Sequence, residues 1–224
     1  MKKAALTCRV VTAEGYDEPR DALSHDWLRW AEARRLLPFA IPNVLADPAS
    51  YLSEIAPDIL ILTGGNDAVA VAGKKSDYTP IRNESERAFL DWALAAGVPV
   101  LAVCRGFHIV NLYFEGSVKA EIGERRDAHV ANDHDVEILD DLRGAVAADR
   151  IQTNSFHTQG VSTDGLAKDL RPFGQSGDGL IEAAVHRVLP CLAIQWHPER
   201  SNPGAALDDM LISRLMADGA FWVG

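Results

Sequence analysis

The segment Val98-Pro-Val-Leu-Ala-Val103 is apolar at every position and runs straight into Cys104-Arg105-Gly106, after which Phe107 to Tyr113 follows a helical pattern. A strand that is apolar on both of its faces has no side to give to water, so it must be covered on both, as strands are in parallel α/β sheets. Comparable runs recur at Ala4 to Val11, Phe39 to Ile41, Ile59 to Thr63, Ile181 to Val185 and Cys191 to Trp196. Helical patterns separate the early ones. Ser24 to Leu37 spaces Leu28, Ala31, Leu36 and two tryptophans along one helix face, while Asn83 to Ala96 follows an expected Asn83 cap, with Glu86 three residues on and Gly97 as the stop. The alternation predicts an α/β fold: a doubly wound, mostly parallel sheet with helices on both faces.

Between about Gly123 and Val188 the chain changes to short β-like pieces broken by Asp, Gly and Pro, among them His134 to Leu139 and Arg150 to Phe156. These predict antiparallel strands closing one edge, a small antiparallel β appendage. A last helix is expected from Pro203 to Met216 behind a Ser201-Asn202 cap. No linker or repeat divides the sequence, so residues 1–224 are expected to form a single domain. With 22 Lys+Arg against 32 Asp+Glu, a formal charge of −10 and no basic run, a nucleic-acid partner is not expected. No apolar run approaches the ~20 residues that cross a bilayer, so no membrane association is expected and the location is read as cytoplasmic.

The cysteines, Cys8, Cys104 and Cys191, are odd in number and widely spaced, which fits neither a disulfide framework nor a Cys-x-x-Cys metal site. Cys8 and Cys191 lie in apolar strand-like runs and read as small buried hydrophobes. Cys104 instead stands at a strand–turn–helix elbow, where Ala102 and Gly106 allow close approach and the helix N-terminus favours a thiolate. A thiolate nucleophile needs a proton partner. In Gln195-Trp196-His197-Pro198-Glu199 the proline biases His197 toward extended backbone, and residues two apart then share a side, so Glu199 can orient the imidazole. Gly64-Gly65, after the Ile59 run, can turn backbone N–H groups toward a developing oxyanion.

Two other stretches are set aside. Gly73-Lys74-Lys75-Ser76 is not a phosphate loop, because Ala68 stands where its first glycine belongs and Lys75 where Ser or Thr belongs. His129 with Asp133-His134-Asp135 offers metal-ligand residue types but reads as a polar loop entering a strand. A thiol nucleophile with a histidine partner needs no metal, so neither a metal nor another cofactor is expected.

Val103-Cys104-Arg105-Gly106-Phe107, Thr153-Asn154-Ser155-Phe156-His157-Thr158-Gln159 and Ile194-Gln195-Trp196-His197-Pro198-Glu199, in this order, resemble the class I glutamine amidotransferase-like superfamily and, within it, the γ-glutamyl hydrolase branch. The likeness spans nearly the whole chain. It implies a flavodoxin-like domain that attacks a γ-glutamyl amide, with Cys104 forming a thioester, His197 shuttling protons and Glu199 orienting His197. It also implies an oxyanion hole from the N–H groups of Gly65 and Arg105. Gly64, Asn154, Ser155, His157 and Gln159 match the surroundings of the glutamyl pocket, His157 reading equally as a structural histidine. His108 departs from the pattern, standing where many relatives carry a glutamine that positions the glutamyl portion.

The short, polar stretch from Cys8 to Trp27 looks like a subgroup tied to cell-surface polysaccharide modification. Arg9, Arg20 and Arg105 would then be candidates to receive the phosphate of a nucleotide-linked leaving group, with ordinary surface ion pairs as the alternative for the first two. The implied partner is a small-molecule γ-glutamyl conjugate. A glutaminase subunit that delivers ammonia to a separate synthase is the alternative, and a homodimer stays open.

Overall fold

The computed structural model describes residues 1–73, 76–139 and 146–223; Lys74 and Lys75 of the rejected phosphate loop lie outside them. In chain order the elements are β1 (Lys2–Thr7), β2 (Arg9–Thr12), β3 (Pro19–Ala22), α1 (His25–Ala33), β4 (Leu36–Ile41), α2 (Pro48–Ile55), β5 (Ile59–Leu62), α3 (Pro80–Ala96), β6 (Val100–Val103) and α4 (Arg105–Tyr113). There follow a short α5 (Arg126–His129), β7 (Val130–Ile138), β8 (Arg150–Phe156), β9 (Val161–Ser162), β10 (Leu170–Ser176), β11 (Leu180–His186), β12 (Cys191–Ile194) and α6 (Ala205–Asp218).

The main sheet runs β4-β1-β5-β6-β12-β11-β10-β7-β8, with β9 beside β11. The first five strands are mutually parallel. Counted in chain order they stand 2-1-3-4-5, the flavodoxin-like arrangement. Strands β11, β10, β7 and β8 continue the same sheet antiparallel, and β2 pairs β3 in a separate arm. The apolar runs explain the layering. Ala4, Leu6, Ile59, Ile61, Leu101 and Val103 face Trp27 and Trp30 of α1 and Leu211 and Leu215 of α6. Their neighbours Ala5, Leu60, Leu62, Val100 and Ala102 face the opposite way, onto Phe89 and Leu90 of α3 and Phe107 and Val110 of α4. Each fully buried Leu, Ile or Phe in these layers contributes about 1.5–3 kcal/mol.

Several boundaries differ from the sequence reading, each for a local reason. The run Ala4 to Val11 is two strands: pairing with β4 ends at Thr7 opposite Ile41, and beyond the buried Cys8 the chain leaves the sheet for the β2–β3 arm. Helix α1 stops at Ala33, Arg35 is left-handed at φ 55°, and Leu36 opens β4 instead of packing from the helix. Helix α3 begins at Pro80 behind Thr79, because proline needs no N–H partner in a first turn; Asn83 and Glu86 therefore lie inside it, free for tertiary contacts. Helix α6 begins at Ala205, with Asn202 Oδ1 accepting the Gly204 N–H at 3.2 Å. Helix α2 has no counterpart among the sequence expectations, although Asp47 caps it by accepting the Ser50 N–H at 2.9 Å and Pro48 fills its first turn. No helix among the described residues is long and apolar enough to cross a membrane.

Candidate active site

Parallel sheets open a crevice at the carboxyl ends of their strands, and the loops there gather the sequence-predicted groups. Gly64-Gly65 follows β5, Cys104 follows β6, His197 lies beyond β12, and Arg9 lies just beyond β1. Cys104 is held at φ 53°, ψ −107°, a conformation costly to a residue with a Cβ, and its N–H donates to Ile194 O at 2.8 Å. The elbow is tight. A Cβ on Gly106 would fall 2.3 Å from Leu62 O, so only glycine lets α4 cross β5 this closely. A Cβ on Gly64 would fall 2.8 Å from His197 Cε1 and 3.5 Å from Cys104 Cβ, which places thiol, imidazole and glycine backbone around one point.

His197 Nδ1 lies 2.7 Å from Glu199 Oε1, the contact expected of residues two apart around Pro198. Its Nε2 is buried with no hydrogen-bond partner, and the Cys104 thiol is the first charge acting on the ring. Burial pushes the thiol up, but the charge of His197 prevails and holds Cys104 below the ordinary thiol range. Burial likewise opposes the imidazolium, yet the Cys104 and Glu199 charges lift His197 to about 9. Each shift favours the charged form of its group, so the pair leans toward thiolate and imidazolium.

A buried ion network stands behind this edge. Glu86 accepts from Arg82 Nε at 3.0 Å and from Thr7 Oγ1 at 2.8 Å, and it pairs with the Arg105 guanidinium. Arg82 in turn donates to Thr63 O at 2.9 Å, to Gly64 O at 3.2 Å and to Gly65 O. In a trans peptide the N–H points opposite the preceding carbonyl, so Arg82, by holding Gly64 O, turns the Gly65 N–H away from itself. Sequence reasoning misses this role: spacing casts Glu86 as a capping partner, and nothing marks Arg82 as buried except its place four residues before an acidic residue.

Two cavities, one walled by Cys104 and the other by His197, share Arg9 and Gly65. The larger, about 200 Å³, is lined by Cys104, His108, His157, Gln159, Arg9 and Gly65 among others. The smaller, about 60 Å³, lies across His197 and Glu199, with Arg9, Ser24, Trp27 and Arg200 in its wall. His108 donates from Nε2 to Gln195 Oε1 at 2.9 Å, and burial, reinforced by His157, drives its pKa to about 3, so it is a neutral wall of the larger cavity.

The structure does not bring every expected residue to a cavity. Asn154 accepts the His197 N–H at 2.8 Å and donates to His197 O and Ser201 O at 2.9 Å each, so it fixes the loop that carries His197 instead of lining the pocket. Ser155 Oγ donates to His129 O at 2.9 Å and faces away. Gln159 lines the larger cavity, but its amide is spent on Ala68 N and Val69 O. Arg20 bonds Glu18 and Tyr16 at 2.6 Å on the exposed arm, and the Arg105 guanidinium is enclosed by Glu86 and Asn83; neither side chain is placed to receive a phosphate. Arg9 is the one of the three that remains, beside Gly65 and loosely paired with Asp77 at 3.5 Å. Arg200, with its guanidinium 4.4 Å from the centroid of the Phe156 ring, is a second cation at the smaller cavity that no sequence motif marked.

Comparison with known proteins identifies the fold and the family. A glutamine amidotransferase from Thermotoga maritima superposes with a TM-score of 0.60 at 15% identity, covering 95% of this chain and 82% of that one, a likeness of fold. The class is that of glutamine amidotransferase-like α/β proteins. The chain matches the Peptidase C26 model over residues 6–199 and belongs to that family. It is 30% identical to the γ-glutamyl-γ-aminobutyrate hydrolase of Escherichia coli over 199 residues, 78% of this chain and 77% of that protein. It is 26% identical to the γ-glutamyl-CDP-amidate hydrolase of Campylobacter jejuni over 202 residues, 88% and 90% of the two chains.

Proposed function

We propose that this protein hydrolyses the amide-type C–N bond of a γ-glutamyl conjugate through a γ-glutamyl thioester on Cys104. The observation that carries the reading is the meeting of a strained Cys104 elbow, a Glu199-bound His197 and the Gly64-Gly65 backbone at one strand-end crevice. The Cys104 thiolate attacks the γ-carbonyl carbon, and the oxygen takes up charge facing the N–H groups of Gly65 and Arg105. As the C–N bond breaks, His197 gives its proton to the departing nitrogen. Water then attacks the thioester while His197 takes one of its protons; the C–S bond breaks, and glutamate leaves with the thiolate restored. Glu199 keeps His197 in the right tautomer and stabilises its charge throughout.

The larger cavity suits the glutamyl portion and the smaller one the first atoms of the leaving group. Arg9 and Arg200 flank the latter, which favours an anionic leaving group such as a nucleotide-linked phosphoramidate. The deciding assay gives the purified chain, alone, glutamine and a panel of γ-glutamyl amides and phosphoramidates. Glutamate release from a conjugate, at a kcat/KM well above that for glutamine, is expected. Activity on glutamine only, and only with an added synthase, would replace this reading with the ammonia-delivering one.

A further inference from the structure

Behind the His157 wall of the larger cavity, the antiparallel strands assemble a second cluster from distant parts of the chain. His129 ends α5, His134 lies on β7, His157 follows β8 and Glu182 lies on β11. Glu182 is 1% exposed, and a charge buried that deeply ordinarily collects hydrogen bonds. Neither of its oxygens has one. Its nearest neighbours are ring nitrogens: His129 Nδ1 and His157 Nε2 each stand 3.6 Å from Oε1, and His134 Nε2 stands 3.6 Å from Oε2.

The far side of two rings settles which nitrogens carry hydrogen. His129 Nε2 lies 3.0 Å from Asp178 Oδ2, and His157 Nδ1 lies 2.8 Å from Gln159 O. A carboxylate and a carbonyl only accept, so both of these nitrogens donate. With both rings neutral, bare lone pairs face each other, His129 Nδ1 against His157 Nε2, at 3.0 Å; burial opposes a charge on His157 but the Glu182 carboxylate raises its pKa, so the charge that relieves the contact is either a proton on His157 or a bound ion. Two lone pairs and an unbonded carboxylate at such range call for a positive charge among them. Donors bound at about 2.0–2.1 Å to a tetrahedral ion stand about 3.3 Å apart, within the spread of separations found here. A carboxylate or carbonyl behind each ligand ring is also how metal-binding histidines are held.

We propose that His129 Nδ1, His134 Nε2, His157 Nε2 and Glu182 form a binding site for one divalent transition-metal ion, with Zn²⁺ matching the three-nitrogen, one-oxygen donor set. The ligand atoms of His129, His134 and Glu182 already lie within 4.8 Å of one another, and His157 Nε2 stands 3.0 Å from His129 Nδ1 and 3.6 Å from Glu182 Oε1, so binding would draw the partly exposed His134 inward toward the other three. The sequence reads His129 and Asp133-His134-Asp135 as a polar loop entering a strand; the fold instead brings His129 and His134 to Glu182 of β11 and to His157. The ion ties β7, β11 and the residue after β8 together and steadies His157 in the cavity wall, taking no part in bond cleavage.

The test uses the full chain carrying Cys104→Ala, so that the thiolate cannot serve as a ligand, stripped with chelator and titrated with Co²⁺ and then Zn²⁺. Expected are one ion retained per chain by elemental analysis, the visible absorption of tetrahedral Co²⁺ bleached by Zn²⁺, and a rise in Tm on loading. In the same background His134→Ala and Glu182→Gln should each weaken binding at least about tenfold. His134→Ala is decisive if Glu182→Gln fails to fold, because the His134 side chain is partly exposed. No retained ion, no Co²⁺ band, or equal binding in folded His134→Ala overturns the proposal and leaves a proton on one ring as the missing charge.

Discussion

The two halves of the sheet place polar chemistry by different rules. In the parallel half, β4-β1-β5-β6-β12, both faces of the central strands are apolar and buried, and the reactive groups stand in the loops at the strand ends. In the antiparallel half, β7 and β11 carry His134 and Glu182 within the strands themselves, and register alone decides what they meet. Strand-end chemistry is fixed by where a strand stops, so it is written as short contiguous motifs. Interior chemistry is fixed by pairing, so it is scattered along the chain.

If the parallel edge carries the whole reaction, Cys104→Ala should have the largest effect of any single change. A kcat loss of about 10³-fold or more, with the fold retained by circular dichroism, is expected, since alanine fits the elbow and the nucleophile is what goes. Residual turnover of a few per cent in a clean preparation would end the assignment. Iodoacetamide gives a second reading of the same site. Burial pushes Cys191 up to about 12, and burial with the nearby Asp21 charge pushes Cys8 to about 11, whereas Cys104 is held low. Near neutral pH, peptide mapping should find Cys104 alkylated first, in step with lost activity.

Next in size is the network beneath that edge. Glu86→Ala leaves two fully buried guanidinium groups without their carboxylate, which is expected to cost about 3–5 kcal/mol in urea unfolding. An exposed helical ion pair at the same spacing is worth only about 0.3–0.5 kcal/mol. A loss on that smaller scale would show that water reaches Arg82, and that the backbone of Gly64-Gly65 is not held from behind.

The same division explains what the sequence disclosed. Cys104, His197, Glu199 and Gly64-Gly65 were legible because each sits at the end of an apolar run, beside residues such as Gly106 and Pro198 whose backbone constraints point to a turn or an extended segment. Arg82, Arg200 and Glu182 were not, because one charged residue on a helix, in a loop or in a strand looks the same in sequence whether buried or solvated. Asn154 shows the limit from the other side. Its motif was visible, but its work on the His197 loop depends on hydrogen bonds across the fold. Boundaries failed where tertiary pairing overrode pattern, as at Cys8, where β1 runs out of partners.

A smaller effect is expected from Glu199→Gln, about 10²-fold in kcat, with a diagnostic change in pH profile. If the proposed mechanism holds, the active form pairs thiolate with imidazolium, so kcat/KM should fall on the alkaline side as His197 loses its proton near pH 9, and on the acid side as Cys104 gains one. The Glu199 charge is among the causes that raise His197. Its removal should therefore move the alkaline limb to lower pH. An unmoved limb would take Glu199 out of contact with the reacting pair.

The smallest effect tests whether the strand-end edge also selects the leaving group. Arg9 follows β1 and reaches both cavities, whereas Arg20 is occupied on the arm by Glu18 and Tyr16. With a nucleotide-linked γ-glutamyl phosphoramidate, Arg9→Ala should raise KM about tenfold, the scale of one partly exposed charge-assisted contact, while leaving kcat nearly unchanged. Arg20→Ala should change neither. The contact lies open to solvent ions, so kcat/KM of the unaltered protein should decline with added salt, and that decline should be shallower in Arg9→Ala. If γ-glutamyl-γ-aminobutyrate is the better substrate, and Arg9→Ala treats both conjugates alike, the phosphate preference fails. The crevice would then be reading the γ-glutamyl portion alone, and the cations at its rim would be solvated surface charge.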